Sequence, residues 1–176
     1  ELGVTNTDFQ DITEFRDIAA LNDWKELKRS GRSDEEALHL LRLVSRDNSR
    51  TPFPWNGGEN GGFSSSRPWI RMNQDYGLIN VEEEEKDPSS VLNFYRKLIA
   101  LRKESDTLIY GDFTLLEEND EDLFVYQRTM GDEKYRIIVN MSGKEREYQC
   151  KGKVVLSNYS DCLPYLRAWE AKVIKE

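Results

Sequence analysis

The sequence predicts an α+β protein with a helical first half and a second half built of short β-strands. Up to Ser105, apolar residues recur at intervals of three and four positions, as they do in amphipathic helices. Beyond Ser105 they alternate with polar residues, which is the pattern of strands with one buried face. A helical segment followed by an all-β segment indicates two structural units, so we predict one domain over 1–105 and another over 106–176.

Two helices are predicted before residue 45. The first carries apolar side chains from Phe15 to Leu27 and stops at Gly31, which follows two basic residues. The second begins at Ser33, where Glu36 stands three residues later and completes a capping box. Its predicted apolar face comprises Ala37, Leu38, Leu40, Leu41 and Val44. His39 lies on this helix, and we interpret it as a surface residue because nothing nearby suits it for catalysis.

A third helix and several strands complete the predicted elements. The third helix is expected to start at Asp87-Pro88, with Asp as N-cap and Pro at the first helical position. Its stripe consists of Val91, Phe94, Leu98 and Leu101. The strands are expected around Phe113 to Leu115, Phe124 to Tyr126, Tyr135 to Val139, Glu145 to Gln149, Val154 to Leu156 and Ala171 to Ile174. Short strands at this spacing predict a small antiparallel sheet or sandwich.

Composition excludes several classes of partner. The 176 residues carry a formal net charge of −8, which disfavours binding to nucleic acid and to anionic membranes. No apolar run is long enough to span a bilayer. Cys150 and Cys162, the only cysteines, have no metal-binding spacing, so we expect free thiols, a cytoplasmic location and neither metal nor cofactor.

The segment from Ser45 to Asn56 is the main candidate for a functional site. It combines Arg46, Asp47 and Arg50 with two prolines and a tryptophan, between a predicted helix and a glycine-rich loop. Each proline restricts the residue before it to extended conformations, so the segment is predicted to be an ordered loop. A guanidinium group on such a loop can donate a fork of hydrogen bonds to carboxylates or hydroxyl groups.

Several motifs follow one another along the chain in a fixed order. They are Ser-Arg-Asp-Asn-Ser-Arg-Thr-Pro at 45–52, Trp55, Asn60-Gly61-Gly62-Phe63, Pro68-Trp69-Ile70, Ile79-Asn80-Val81, Leu101-Arg102-Lys103 and Leu166-Arg167-Ala168-Trp169-Glu170. In this order they resemble glycoside hydrolase family 13, in particular its oligo-1,6-glucosidase and α-glucosidase members. The resemblance covers nearly the whole chain. It implies the helical end piece of a (β/α)8 barrel, with the eighth loop and eighth helix, followed by a small antiparallel β-sandwich.

The resemblance also implies an activity. Family members cleave α-glucosidic bonds with retention of configuration, using a nucleophilic carboxylate and an acid/base carboxyl group. In the family these groups lie upstream of the motifs present here, so we expect no catalytic residue in this chain and no hydrolysis by the chain alone. The chain is therefore expected to be the C-terminal portion of a larger enzyme, which acts together with the remainder of the catalytic barrel.

The family motif assigns Arg50 to the sugar subsite beside the cleaved bond. Arg46 and Asp47 are weaker substrate-binding candidates, since an ion pair that holds the loop explains them as well. We expect Phe53 and Trp55 to serve mainly in packing. The preferred substrate is a short α-glucoside such as isomaltose or an isomalto-oligosaccharide.

Departures from the family motif leave alternatives open. Phe53-Pro54 replaces Met-Gln, Asn56 replaces Asp, and Ala168 replaces Pro. A trehalose-6-phosphate hydrolase or a sucrose isomerase therefore remains an alternative parent, and a non-catalytic scaffold or transporter partner remains an alternative of another class. Without the rest of a barrel, the apolar helix faces are expected to cause either self-association or repacking of the helices.

Overall fold

The structure is a computed structural model, and it describes residues 1–149, 151–161 and 163–176. These residues form two compact units, Glu1–Leu92 and Asn93–Glu176. The first unit contains helices, and the second contains helices and antiparallel sheets, so the predicted α+β class is confirmed. The predicted free thiols of Cys150 and Cys162 lie outside the described residues.

The first unit contains three helices, α1 (Ile18–Arg29), α2 (Asp34–Val44) and α3 (Val81–Lys86). The predicted capping box of α2 is present, because the Ser33 and Glu36 side chains each accept the other residue's backbone N–H. The core of the unit lies between α1, α2 and the chain before them, and Phe9 and Phe15 pack at its centre with ring centroids 4.5 Å apart. The core comprises Phe9, Phe15, Ala20, Leu38, Leu41 and Ile70.

Two details of the predicted helices are wrong. On α2, Leu40 and Val44 are exposed, so the buried face is narrower than the sequence pattern suggests. The next helix, α4 (Val91–Lys103), starts three residues after Pro88. The Asp87 carboxylate accepts the Ser89 N–H at 2.8 Å, and the Asp87 carbonyl accepts the Ser90 N–H at 3.1 Å. These bonds close a turn in place of a helix start.

Within 93–149, 151–161 and 163–176, the second unit contains most of α4, a short helix α5 and seven strands. The strands form a five-stranded sheet in the order β1-β2-β3-β7-β5 and a two-stranded sheet of β4 and β6, all antiparallel. The elements are α5 (Asp106–Tyr110), β1 (Asp112–Leu116), β2 (Leu123–Met130), β3 (Glu133–Asn140), β4 (Arg146–Glu147), β5 (Lys153–Ser157), β6 (Tyr165–Leu166) and β7 (Ala171–Lys175). Helix α5 and strand β6 were not predicted, because they are too short to display a period.

The two sheets share one core, which confirms the predicted sandwich. Leu166 of the small sheet packs in a cluster with Leu123, Val125, Ile138 and Ile174 of the large one. The second unit also contains an apolar cavity of about 420 Å³. Its lining includes alternate residues of β2 and β3 and three residues of α4, namely Phe124, Tyr126, Ile137, Val139, Phe94, Leu98 and Leu101. No residue of α4 is buried. Self-association through this helix stays a prediction.

Candidate functional site

The loop that carries the candidate residues is a tight turn at the end of α2. Ser45 ends the helix, and its hydroxyl oxygen accepts the Asp47 N–H at 3.2 Å. Residues Arg46–Ser49 form one turn of 3₁₀ helix, which closes where the Arg50 N–H donates to the Asp47 carbonyl at 3.0 Å. The chain then runs extended through two buried prolines, Pro52 and Pro54. The backbone around Arg50 is thus fixed on both sides.

Asp47 is fully buried and fastens the loop to the segment before α1. Its Oδ2 atom accepts the backbone N–H groups of Arg16 at 2.7 Å and Asp17 at 2.9 Å. Its Oδ1 atom has no hydrogen bond and faces Nη1 of Arg50 at 3.7 Å. A carboxylate with 0% exposure cannot touch a ligand, so the position of Asp47 suits it to hold Arg50.

Arg46 makes a second connection to the same segment. Its Nε and Nη2 atoms donate to the two carboxylate oxygens of Asp17 at 3.0 and 2.6 Å. This pairing with Arg46 lowers the pKa of Asp17 to about 2, against the desolvation that burial imposes. Asp17 also caps α1 by accepting the Ala19 N–H. Both oxygens of the Asp17 carboxylate therefore take part in structural hydrogen bonds.

We expect the Arg46–Asp17 pair to make stability depend on pH. Because the pKa of Asp17 is lowered on folding, its contribution is complete above the ordinary value near 3.8 and is lost as pH falls toward 2. Urea unfolding of the chain at pH 5 and pH 2.5 measures this loss. The Asp17→Asn variant should lose less stability between these two values than the wild type does. An equal loss in both proteins would contradict the assigned role.

Asn48 ties the loop to the N-terminal segment, a role that the sequence analysis missed. Its Oδ1 accepts the Thr7 N–H at 3.0 Å, and its Nδ2 donates to the Arg42 carbonyl at 2.8 Å. Asn6 donates to the same Arg42 carbonyl at 3.0 Å. An amide inside an Arg-rich loop was the only signal available, because Thr7 lies 41 positions away in sequence. The loop is therefore anchored at two separate places.

Arg50 combines an anchored backbone with an accessible side chain. Its side chain is 41% exposed, and its guanidinium group donates no hydrogen bond within the part of the chain that the structure describes. The exposed rings of Phe53 and Trp55 follow, in edge contact with centroids 4.9 Å apart. Both aromatic residues are more accessible than the predicted packing role requires. The loop thus carries exposed hydrogen-bond donors at Arg50 and an exposed aromatic pair three and five residues later, and these group types suit the hydroxyl groups and the ring face of a sugar.

The glycine-rich segment folds back on the same loop. The backbone N–H groups of Trp55 and Asn56 both donate to the Gly61 carbonyl, at 2.7 and 3.1 Å. Gly61 and Gly62 adopt positive φ angles of 63° and 67°, which favour glycine. The segment supports the aromatic pair by this contact.

In 1–149, 151–161 and 163–176, no three His, Cys, Asp or Glu side chains converge in a way that could hold a metal ion. No helix in those ranges has the length and apolar character needed to cross a membrane.

Comparison with known proteins identifies the family. The sequence profile described as "Alpha amylase, catalytic domain" matches residues 1–111, which is more than half of the chain. The chain belongs to the alpha-amylase family. The matched part of this family member ends at Gly111, directly after α5.

Individual relatives agree with this assignment. The chain is 38% identical to an oligo-1,6-glucosidase of Parageobacillus thermoglucosidasius, over 99% of the chain and 34% of that protein. The crystal structure of the Bacillus licheniformis trehalose-6-phosphate hydrolase superposes with a TM-score of 0.91 at 39% identity, covering 99% of the chain and 34% of that protein. The isomaltulose synthase of Klebsiella sp. LX3 gives 0.90 at 37% identity with the same coverage. The chain therefore spans about a third of the length of these relatives.

Proposed function

We propose that this chain is the C-terminal part of an α-glucosidase of the oligo-1,6-glucosidase type, which hydrolyses short α-glucosides with retention. In this proposal residues 1–105 complete the catalytic barrel and residues 106–176 form the C-terminal sandwich. The observation that carries the proposal is the Arg50 side chain, anchored at its backbone yet free to donate from its guanidinium group. The similarity to oligo-1,6-glucosidases supports the choice of substrate.

The proposed roles of the three candidate residues differ. Arg50 borders the sugar subsite, where its positive charge stabilises neighbouring carboxylates and its N–H groups donate to sugar hydroxyls. Asp47 and Arg46 are positioning residues, because their carboxylate and guanidinium groups fasten the loop to Arg16 and Asp17. The nucleophile and the acid/base group are supplied by the remainder of the catalytic barrel, which is the partner that the proposal requires.

A trehalose-6-phosphate hydrolase and a sucrose isomerase remain alternative parent enzymes. Relatives named as trehalose-6-phosphate hydrolases and as isomaltulose synthase resemble the chain about as closely as the oligo-1,6-glucosidases do. A non-catalytic scaffold of the same fold is the alternative of another class. The exposed guanidinium of Arg50, which donates no hydrogen bond within the described residues, favours a catalytic parent, because a scaffold has no need of such a group. A cytoplasmic location remains a prediction.

A substrate panel tests the proposal. The full-length protein is assayed on isomaltose, trehalose 6-phosphate and sucrose, and the first product anomer is followed by NMR. We expect isomaltose to be cleaved with the highest kcat/KM and α-glucose to appear first, while the 176-residue chain alone gives no turnover. Trehalose 6-phosphate or sucrose as the best substrate would select one of the alternative parents, and no turnover on any sugar would favour the scaffold.

A further inference from the structure

A second concave site lies in the first unit, and its lining is strongly basic. The depression has a volume of about 490 Å³, within the range of small-molecule sites. Its lining includes Arg16, Arg67, Arg71, Glu14 and Trp69. The lining thus carries three positive guanidinium groups and one negative carboxylate, so its charge is net positive although the net charge of the chain is −8. We call this depression the basic basin.

Arg16 is the fixed element of the basic basin. Its Nη1 donates to the Thr13 carbonyl at 2.5 Å, and its Nε donates to the Trp69 carbonyl at 3.3 Å. These bonds hold the guanidinium plane, while Nη2 makes no hydrogen bond within the described residues. The backbone of Arg16 is held in turn by Asp47. The site is therefore built from the same segment that anchors the Arg50 loop.

The other two arginines differ in how they are paired. Arg71 lies 3.3 Å from the Glu14 carboxylate through Nη1, in a half-exposed ion pair. Arg67 is exposed, and within 1–149, 151–161 and 163–176 it has neither a hydrogen bond nor an ion pair. Within the described residues, no carboxylate therefore lies at ion-pair distance from the Arg67 guanidinium group.

Trp69 supplies an apolar wall to the basin. Its side chain is 57% exposed, whereas the next residue, Ile70, is buried in the core and fixes the backbone. An exposed indole face on an anchored backbone suits stacking against a sugar ring. The guanidinium groups beside it suit the oxygens of a phosphate group, which they bind in a bidentate manner.

We propose that the basic basin binds a sugar phosphate, with the phosphate group on Arg16 and Arg67 and the sugar ring on Trp69. The proposed binding site makes no use of Arg50 or of a catalytic carboxylate. Its occupancy can therefore be measured on the 176-residue chain whether or not the proposed hydrolysis is correct.

Calorimetric titration of the chain tests the proposal, with glucose 6-phosphate, glucose and inorganic phosphate as separate probes. We expect glucose 6-phosphate to bind at least tenfold more tightly than either of the other two. Arg67→Gln should weaken that binding about tenfold, and it should leave the fold intact because Arg67 is exposed and makes no hydrogen bond or ion pair within the described residues that would be lost. Arg29→Gln, on an exposed face of α1, is the control with the same charge change and should bind like the wild type.

Four outcomes decide the matter. Preferential binding of glucose 6-phosphate that is lost in Arg67→Gln and weakened in Trp69→Ala supports the proposal. Equal binding of inorganic phosphate overturns it, because the sugar ring then contributes nothing. An equal affinity for glucose overturns it as well, because the arginines then contribute nothing to binding. Unchanged affinity in Arg67→Gln places the ligand elsewhere and also overturns it.

Discussion

Replacing Arg50 with lysine in the full-length protein is expected, on the proposed function, to lower kcat/KM on isomaltose by about 100-fold, or about 2.7 kcal/mol. Lysine keeps the positive charge but loses the planar fork that can donate to two oxygens at once. The guanidinium group donates no hydrogen bond within the described residues, and the lysine ammonium keeps a positive charge for the buried Oδ1 of Asp47, so we expect the fold to be kept. Steady-state kinetics together with the thermal midpoint of unfolding measure the effect.

The control for this experiment is Arg29→Lys. Arg29 is also exposed and pairs with a carboxylate three residues away, as Arg50 does, but it lies on α1 outside the site. Its kcat/KM should equal that of the wild type. If Arg50→Lys keeps full activity, Arg50 is peripheral to the sugar pocket. If its thermal midpoint falls together with activity, the role of Arg50 is structural.

Replacing Asp47 with alanine is expected to lower the free energy of unfolding of the first unit by about 3–6 kcal/mol. The change removes two charge-assisted hydrogen bonds, to the N–H groups of Arg16 and Asp17. Hydrogen bonds to charged groups contribute about 1.5–3 kcal/mol each, and a buried donor left unpaired carries a further cost. Urea unfolding of the 176-residue chain measures the difference.

Two companion variants make this result specific. Asp23→Ala removes an exposed carboxylate from α1 and should change the free energy of unfolding by less than about 0.5 kcal/mol. Asp47→Asn keeps one acceptor oxygen but loses the charge, so its stability should lie between those of the wild type and Asp47→Ala. A stability of Asp47→Ala within error of the wild type would show that the loop is held by other contacts.

The sequence predicted those elements whose signals are local. The capping box of α2 and the strand β3 depend on residues within a few positions of one another, and both are present, although β3 buries Tyr135, Ile138 and Asn140 and not one alternating face. The start of α4 was misplaced because Asp87 forms similar side-chain bonds in a turn and at a helix cap. Helix α5 escaped notice although Ser105 caps it, because five residues display no period.

For the candidate site too, the sequence predicted the local features and missed the long-range contacts. The motif identified the loop and its charged residues, but it could not tell which of them reach the surface. The burial of Asp47 could not be predicted, because its partners Arg16 and Asp17 stand about thirty positions earlier in the sequence. Only the folded chain brings these residues together. The pairing of Arg46 with Asp17 is long-range for the same reason. The spacing of residues in the sequence does not predict contacts of this kind.

The most direct test is a crystal structure of the full-length enzyme, inactivated at its nucleophile, with isomaltose bound. The proposed function predicts a guanidinium nitrogen of Arg50 within about 3.2 Å of a sugar hydroxyl oxygen, with Asp47 still buried behind it. A sugar whose nearest atom lies more than about 6 Å from Arg50 would contradict the proposal, because no direct hydrogen bond spans that distance.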